Sequence, residues 1–295
     1  MTAPGTPARV AVIGYASLDH MAFLDRAARP GQTATMIGRQ AESWPRLGGS
    51  PAYVAAALVR AGVSAAPITW IGDDAGGRAY GEKLEAEGIS RAGLAVVAGA
   101  TTPMAILTYD PDGGCICLFD PGVRDAEGLS PAQATVLAGA AWLCITIGPE
   151  GATRAALAAL RPDQRLMWAV KDDPRAIPPD LARAIAARAD VICHSAAEAA
   201  FVAAAAGAAP RKGQTIIRTA AQAGAAIMTA TSTHQVAAQP LAITDPTGAG
   251  DSFAGGVLAA LAKGETDPET IVTAGHAAAR QVLAARQASK TGEKT

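Results

Sequence analysis

Ile243-Thr-Asp-Pro-Thr-Gly-Ala-Gly-Asp-Ser-Phe-Ala-Gly-Gly-Val-Leu-Ala-Ala-Leu-Ala-Lys-Gly264 carries the strongest local signal in the chain. Pro246 biases Asp245 away from helical dihedrals, so a helix in this stretch begins after it. From Gly248 onward Phe253, Val257 and Leu261 recur on one helical face, and Gly264 supplies a stop. Gly248, Ala249 and Gly250 therefore lie at a helix N-terminus. No bulky side chain covers their N–H groups, and the helix dipole adds partial positive charge, so the turn suits an anion. Asp251 is the odd residue here, because a carboxylate repels a phosphate. It is either an acidic residue favouring the first helical turn, worth about 0.3–1 kcal/mol, or a general base. As a base it would take the proton of a hydroxyl attacking a phosphoryl group held by the neighbouring amides.

A second glycine-rich turn, Leu47-Gly-Gly-Ser-Pro-Ala-Tyr53, opens a run that continues Val54-Ala-Ala-Ala-Leu58. Ser50 and Pro51 are good helix-start residues. Gly48 and Gly49 let a ligand approach the backbone closely. Asp19 comes after the apolar run Val10–Ile13 and the turn Gly14-Tyr-Ala-Ser-Leu18. It is either a solvated loop carboxylate or one placed at a strand's carboxyl end to bond ligand hydroxyls.

Farther out, short apolar runs alternate with Ala-rich segments of helical length. The runs are Val10–Ile13, Pro67–Ile71, Trp142–Ile147, Leu166–Val170, Val191–Cys193 and Thr215–Ile217. Most carry no charge, as expected of strands covered on both faces of a parallel sheet, with Trp70, Trp142 and Trp168 as strand core. Between them Ala52–Ala61, Gly76–Glu87, Gly151–Leu160 and Leu181–Ala189 read as helices, and Gly62, Gly88 and Gly264 as their left-handed stops. The alternation predicts an open α/β sheet with helices on both sides. Two stretches break it. His20–Leu47 shows no helix period. Thr101–Pro121 alternates through Met104, Ile106 and Thr108, then Cys115, Cys117 and Phe119, around an Asp110-Pro-Asp-Gly-Gly114 turn. That is a hairpin with one wet face, either an ordinary surface hairpin or a flap over a crevice.

Of 295 residues, 50% are hydrophobic and 17% charged, which excludes a disordered chain. With 25 Lys+Arg against 26 Asp+Glu there is no basic excess to grip nucleic acid or anionic lipid. The Ala-rich runs are broken by charge or proline, so no membrane span is expected. Met1–Arg9 lacks the basic and apolar regions of a signal peptide. The four cysteines, Cys115, Cys117, Cys144 and Cys193, form no disulfide framework, and Cys115 and Cys117 lack a second Cys/His pair to complete a metal site. The expectation is a cytoplasmic, reduced protein.

The motifs resemble a known family. Gly48-Gly-Ser-Pro-Ala52, followed by Trp70-Ile-Gly-Asp-Asp-Ala-Gly-Gly-Arg-Ala-Tyr-Gly-Glu-Lys-Leu-Glu-Ala-Glu-Gly-Ile89, is similar to the N-terminal signature of the ribokinase-like (PfkB) carbohydrate kinases. Asp245–Gly256 is similar to their C-terminal signature, and Gly14–Asp19 to their substrate-contacting turn. The resemblance covers essentially the whole chain. It implies a ribokinase-like, doubly wound and mostly parallel α/β sheet flanked by helices, with a small β-lid. The core would be residues 1–18, 48–98 and 122–295, and the lid 19–47 and 99–121. The activity implied is ATP-dependent phosphorylation of a hydroxymethyl group on a sugar or nucleoside. In that assignment Asp251 is the catalytic base, and Gly248, Ala249 and Gly250 form the anion hole. Asp19, Gly48 and Gly49 contact substrate, with Tyr53 and Phe119 beside them. Ser195, Thr219, Gly224 and His276 edge the nucleotide. Glu198 helps organise Mg2+, and Asp245 and Thr247 match part of a K+ site found in some members. A homodimer through an exposed lid edge is expected.

Several positions depart from the family pattern. Tyr53 stands where many sugar-specific members carry Asn, exchanging an amide for an aromatic face and tilting the substrate toward nucleosides. Ser195 replaces the Asn of Asn-x-x-Glu, and Ala221 stands where the nucleotide-side turn has Gly. The acidic residue that many ribose-specific members carry after the central strand is absent from Ile147-Gly-Pro149, which argues against ribose. Those losses keep open a catalytically impaired sugar- or nucleoside-binding protein. A serine hydrolase is the rival class: Ser50 and Ser252 each fall one glycine short of a nucleophile elbow, and no triad order is evident among His20, His194, His234 and His276.

Overall fold

The structure is a computed structural model that describes residues 9–39, 44–123, 126–239, 241 and 245–291, with side chains as far as 286. Nearly all of the Met1–Arg9 leader reading, and the parts of the expected core and lid at 1–8, 40–43, 124–125, 240, 242–244 and 292–295, lie outside those residues.

The apolar runs form a nine-stranded sheet. β1 (Val10–Ile13) lies third from one edge. On one side of it are β5 (Ala65–Gly72) and β6 (Leu94–Val97). On the other are β9 (Trp142–Ile145), β10 (Arg165–Ala169), β11 (Val191–Ser195) and β12 (Thr215–Thr219), all parallel to β1. Two strands absent from the sequence reading, β13 (Ala225–Met228) and β14 (Thr233–Val236), finish the sheet antiparallel. Thin apolar content, as in exposed Thr233-His-Gln, hid β14, and four residues, two of them alanine, hid β13.

Side chains alternate across the sheet and feed two cores. Val10 and Val12 join α1 (Ser50–Arg60), α2 (Ala75–Ala86), α7 (Ala249–Ala262) and α8 (Pro268–Thr291) through Leu58, Leu84, Val257 and Val272. Ala11 and Ile13 join α3 (Pro131–Gly139), α4 (Glu150–Ala159), α5 (Pro179–Arg188) and α6 (Ala199–Ala206) through Leu137, Ala156, Ile185 and Val202. This is the doubly wound arrangement: strands apolar on both faces because both are covered. Local chemistry sets the helix ends. Asp74 caps α2 by accepting from Gly77 N at 2.8 Å. Gly62, Gly88 and Gly264 all take positive φ, as their stop positions predicted. The sequence reading did not separate out α8. No helix of the described residues is long and apolar enough to cross a membrane.

A second sheet stands apart, built from β2 (Ser17–Leu24), β3 (Met36–Gly38), β4 (Arg46–Gly48), β7 (Met104–Tyr109) and β8 (Cys115–Asp120). The hairpin around Asp110–Gly114 is present, but its faces differ from the expected ones. Ala105, Leu107 and Tyr109 sit opposite Phe119, Cys117 and Cys115 and are the buried face of β7. Met104, Ile106 and Thr108 pair instead with Asp120, Leu118 and Ile116. β8 is the edge strand and is exposed along its whole length. Asp19 also departs from the loop reading. It lies inside β2, beside Arg46 of β4, and is only 4% exposed.

Candidate active site

Strand order reverses beside β1, where β5 leads one way and β9 the other, and open α/β sheets bind ligands outside the carboxyl ends of strands at such a point. Lys171, just beyond β10, the Ser195–Glu198 turn after β11 and Thr219 ending β12 all lie at those ends. α7 points its N-terminus there. Gly248 takes left-handed backbone (φ +71), and a Cβ on it would stand 2.8 Å from the Tyr53 ring. Both facts require glycine. The amide of Ala249 is spent on the turn, donating to Pro246 O at 3.1 Å. The next amides, of Gly250 and Asp251, have no acceptor within the first helical turn.

Asp251 is 7% exposed and faces Lys171, whose Nζ lies 3.2 Å from Oδ1. Lys171 was missed by sequence reading. Its only signal was a lone cation directly after the apolar run Leu166–Val170. Attraction to Asp251 outweighs burial and holds the Lys171 ammonium above its ordinary value, with Glu198 adding to the pull.

Asp19 has both carboxylate oxygens engaged. Ser17 Oγ donates to Oδ1 at 2.6 Å and Tyr53 OH to Oδ2 at 3.1 Å. A Cβ on Gly48 would fall 2.3 Å from this carboxylate, so the glycine makes the space it occupies. Burial raises the Asp19 carboxyl above its ordinary value, against the lowering effect of Ser17 and Arg46. Gly49, with φ +85, opens α1. The Tyr53 ring is committed to Gly248 on one side and faces the Arg286 guanidinium, 5.7 Å from its centroid, so it is not free to stack on a base. Phe119 packs on Tyr15 with ring centroids 5.8 Å apart.

Asp245 and Thr247 are brought together with residues the sequence did not point to. Asp245 Oδ2 lies 2.9 Å from Arg46 Nη1 and 3.4 Å from Arg286 Nη1. Oδ1 accepts from Thr247 N at 3.0 Å and from Tyr109 OH at 3.3 Å. Burial alone would raise this carboxyl, but Arg286 and Arg46 bring it below its ordinary value.

On the nucleotide side, Glu198 accepts from Ser195 N at 2.7 Å, closing a single 3-10 turn. Thr219 Oγ1 contacts His194 O at 3.5 Å. Ala221 is the one non-glycine residue with positive φ (+49) among the described residues. The sequence departure at this position is thus also a backbone strain, of about 1–2 kcal/mol. Gly224 (φ +96) turns the chain into β13. His276 is half-buried on α8 against Phe253, 5.3 Å between centroids. Ser252, one of the two serines of the hydrolase alternative, is 1% exposed, and its Oγ has no hydrogen-bond partner among the described residues, so no base activates it.

Comparison with known proteins agrees with this architecture. A nucleoside kinase from Methanothermobacter thermautotrophicus is 32% identical over 126 residues, 41% of this chain and 39% of that protein. An ATP-dependent ribose-1-phosphate kinase from Halopiger xanaduensis is 32% identical over 120 residues, again 41% of this chain and 39% of the other. The matched part thus spans well under half the length of these curated relatives. The crystal structure of a ribokinase from Cryptococcus neoformans var. grubii serotype A in complex with ADP superposes with a TM-score of 0.76 at 24% identity, covering 94% of both chains. That likeness shows a shared fold. The sequence model of the pfkB family carbohydrate kinases matches residues 7–295, and the chain belongs to that family.

Proposed function

We propose that this protein is an ATP-dependent kinase that phosphorylates a hydroxymethyl group of a sugar or nucleoside. One observation carries the reading: a buried carboxylate, Asp251, on the first turn of α7 among that helix's opening amides, paired at 3.2 Å with Lys171 at a strand's carboxyl end. Asp251 accepts the proton of the attacking hydroxyl. The new O–P bond forms as the bond from the γ-phosphorus to the β–γ bridging oxygen breaks, and ADP leaves. The amides of Gly250 and Asp251 and the Lys171 ammonium stabilise the charge that develops on the phosphoryl oxygens. Gly248 shapes the turn, and Ala249 braces it through Pro246.

The donor set suits a magnesium ion that arrives with the nucleotide. No group of three or more His, Cys, Asp or Glu able to hold a metal occurs among the described residues, while Glu198 lies close enough to Lys171 to influence it. Magnesium keeps several waters and takes one or two carboxylates plus phosphate oxygens. Glu198 would hold it through water, and the ion would neutralise phosphate charge. Ser195, Thr219, Gly224 and His276 are assigned to the nucleotide side. Asp19, Gly48, Gly49, Tyr53 and Phe119 are assigned to the acceptor side. We assign residues 19–47 and 99–121 to a lid and the remainder to the core. The exposed edge of β8 supports a homodimer through that lid, and four free cysteines suit a reducing cytoplasm.

The names of the relatives, nucleoside kinase and ribose-1-phosphate kinase, support the acceptor class. Its member is to be found by measuring ADP production across pentoses, hexoses, nucleosides and sugar phosphates. Asp251→Asn is expected to lower turnover by about 10²-fold or more while ATP binding persists. Unchanged turnover would remove the base, and ester cleavage without ATP would favour hydrolysis. A second reading, a binding protein without turnover, is favoured by the strained Ala221 (φ +49) and by Ser195 standing in place of Asn on the nucleotide side. It predicts sugar or nucleoside binding with no ADP released.

A further inference from the structure

One nitrogen gathers three oxygens of the turn that leads into α7. Arg286 Nη1, from α8, donates to the carbonyl of Thr247, lies 3.3 Å from the carbonyl of Asp245 and 3.4 Å from Asp245 Oδ2. Two peptide carbonyls and a carboxylate are hard oxygen ligands, of the kind that surrounds a hard metal cation. The family resemblance raised a K+ site at Asp245 and Thr247, but here those oxygens are already gathered on a guanidinium. Arg46 Nη1 takes Oδ2 as well, at 2.9 Å, and Tyr109 OH closes the group at 2.5 Å from Thr247 Oγ1. Asp245, Arg46 and Arg286 are all largely buried. A metal ion placed among these oxygens would stand against two arginines.

We propose that Arg286 is a covalently tethered cation that takes the place of a monovalent metal ion, so that this chain needs no K+. The proposal rests on the kinase reading for its effect on turnover, and on the geometry alone for cation binding. Arg286 is a positioning residue. It pins the backbone from Asp245 to Thr247, and that backbone aims Gly248 and the first amides of α7. An arginine is always charged, so the turn is held without any dependence on salt composition. Being part of α8, the cation cannot dissociate.

The test compares wild type, Arg286→Ala and Arg286→Lys in KCl and in choline chloride at matched ionic strength, reading both ADP formation and the midpoint of thermal unfolding. In wild type, potassium is expected to leave both readouts as they are in choline. In Arg286→Ala, turnover should fall by about 10²-fold through misplacement of the amides. Potassium, but not choline, should recover part of that loss and raise the midpoint. Arg286→Lys, which keeps a charge, should need no potassium. If the alanine variant does not fold, Arg286→Gln, neutral but near in length, is read in the same way. Potassium activation or stabilisation of wild type overturns the proposal, as does a neutral variant whose midpoint is indifferent to potassium. If no acceptor yields ADP with wild type, the kinase reading fails. The midpoint shift in the neutral variant still decides the cation proposal separately.

Discussion

Lys171 and Asp251 face each other at 3.2 Å with the carboxylate almost wholly enclosed. The Lys171 side chain is 36% exposed, but removing it leaves the buried Asp251 charge uncompensated, which is costly. Lys171→Met is expected to reduce turnover by about 10²–10³-fold, the loss typical of a removed transition-state donor. Steady-state kinetics should show the loss in kcat, and a variant with unaltered kcat would reduce Lys171 to a structural counter-ion. The pair also has a pH signature. Lys171 is raised in the folded state, so its contribution to stability is complete below its ordinary value of 10.5 and is lost as pH climbs through the raised one. Wild type should therefore lose its stability advantage over Lys171→Met in alkaline solution, as followed by unfolding midpoints. At this scale the sequence showed half of each partnership. Asp251 and Asp245 stood out because their motifs are local. Lys171, Arg46 and Arg286 did not, because the contacts that give them meaning span long stretches of chain, 199 residues for Arg46 and Asp245. No local pattern encodes such a distance.

Helices and strands were more legible than their pairings. The glycine stops, the start of α1 near Ser50 and the parallel strands follow from composition and period alone, and those elements appear within a few residues of their expected limits. The β7–β8 faces could not be read this way. Both of its strands carry apolar residues on both sides, so alternation alone does not choose the buried one. Tyr109 chooses it, since its hydroxyl must reach Thr247. α7 depends on its start in the same way. Gly248→Ala would place an L-residue in left-handed backbone, at about 1–2 kcal/mol, and would press its methyl into Tyr53. Expected outcomes are a midpoint lowered by several degrees and a fall in turnover, since the ring and the amides move together. Calorimetry beside kinetics checks both. A variant as stable and active as wild type would show that the turn tolerates another geometry.

For the whole molecule, the doubly wound core was readable because both faces of its strands are covered and therefore apolar. The small sheet was visible only as an interruption of that rhythm. Its outer strand sets the next expectation. Leu118 is 61% exposed on an edge with unpaired backbone, and Ile116 and Phe119 flank it. Such edges pair with another chain unless they are blunted. Wild type is expected to run in light scattering at twice the mass of the chain, and Leu118→Lys as a single chain. A monomeric wild type would leave that edge to some other use.

Arg46 and Tyr109 belong to the small sheet, yet both grip Asp245 beside the start of α7. One carboxylate thus ties the small sheet to the turn that opens α7. On the proposed lid assignment, opening would strip Asp245 of an arginine and a phenol at once, leaving Arg286 and the Thr247 amide to hold it. On that assignment, entry of an acceptor and readiness for chemistry would be wired to one hinge pin.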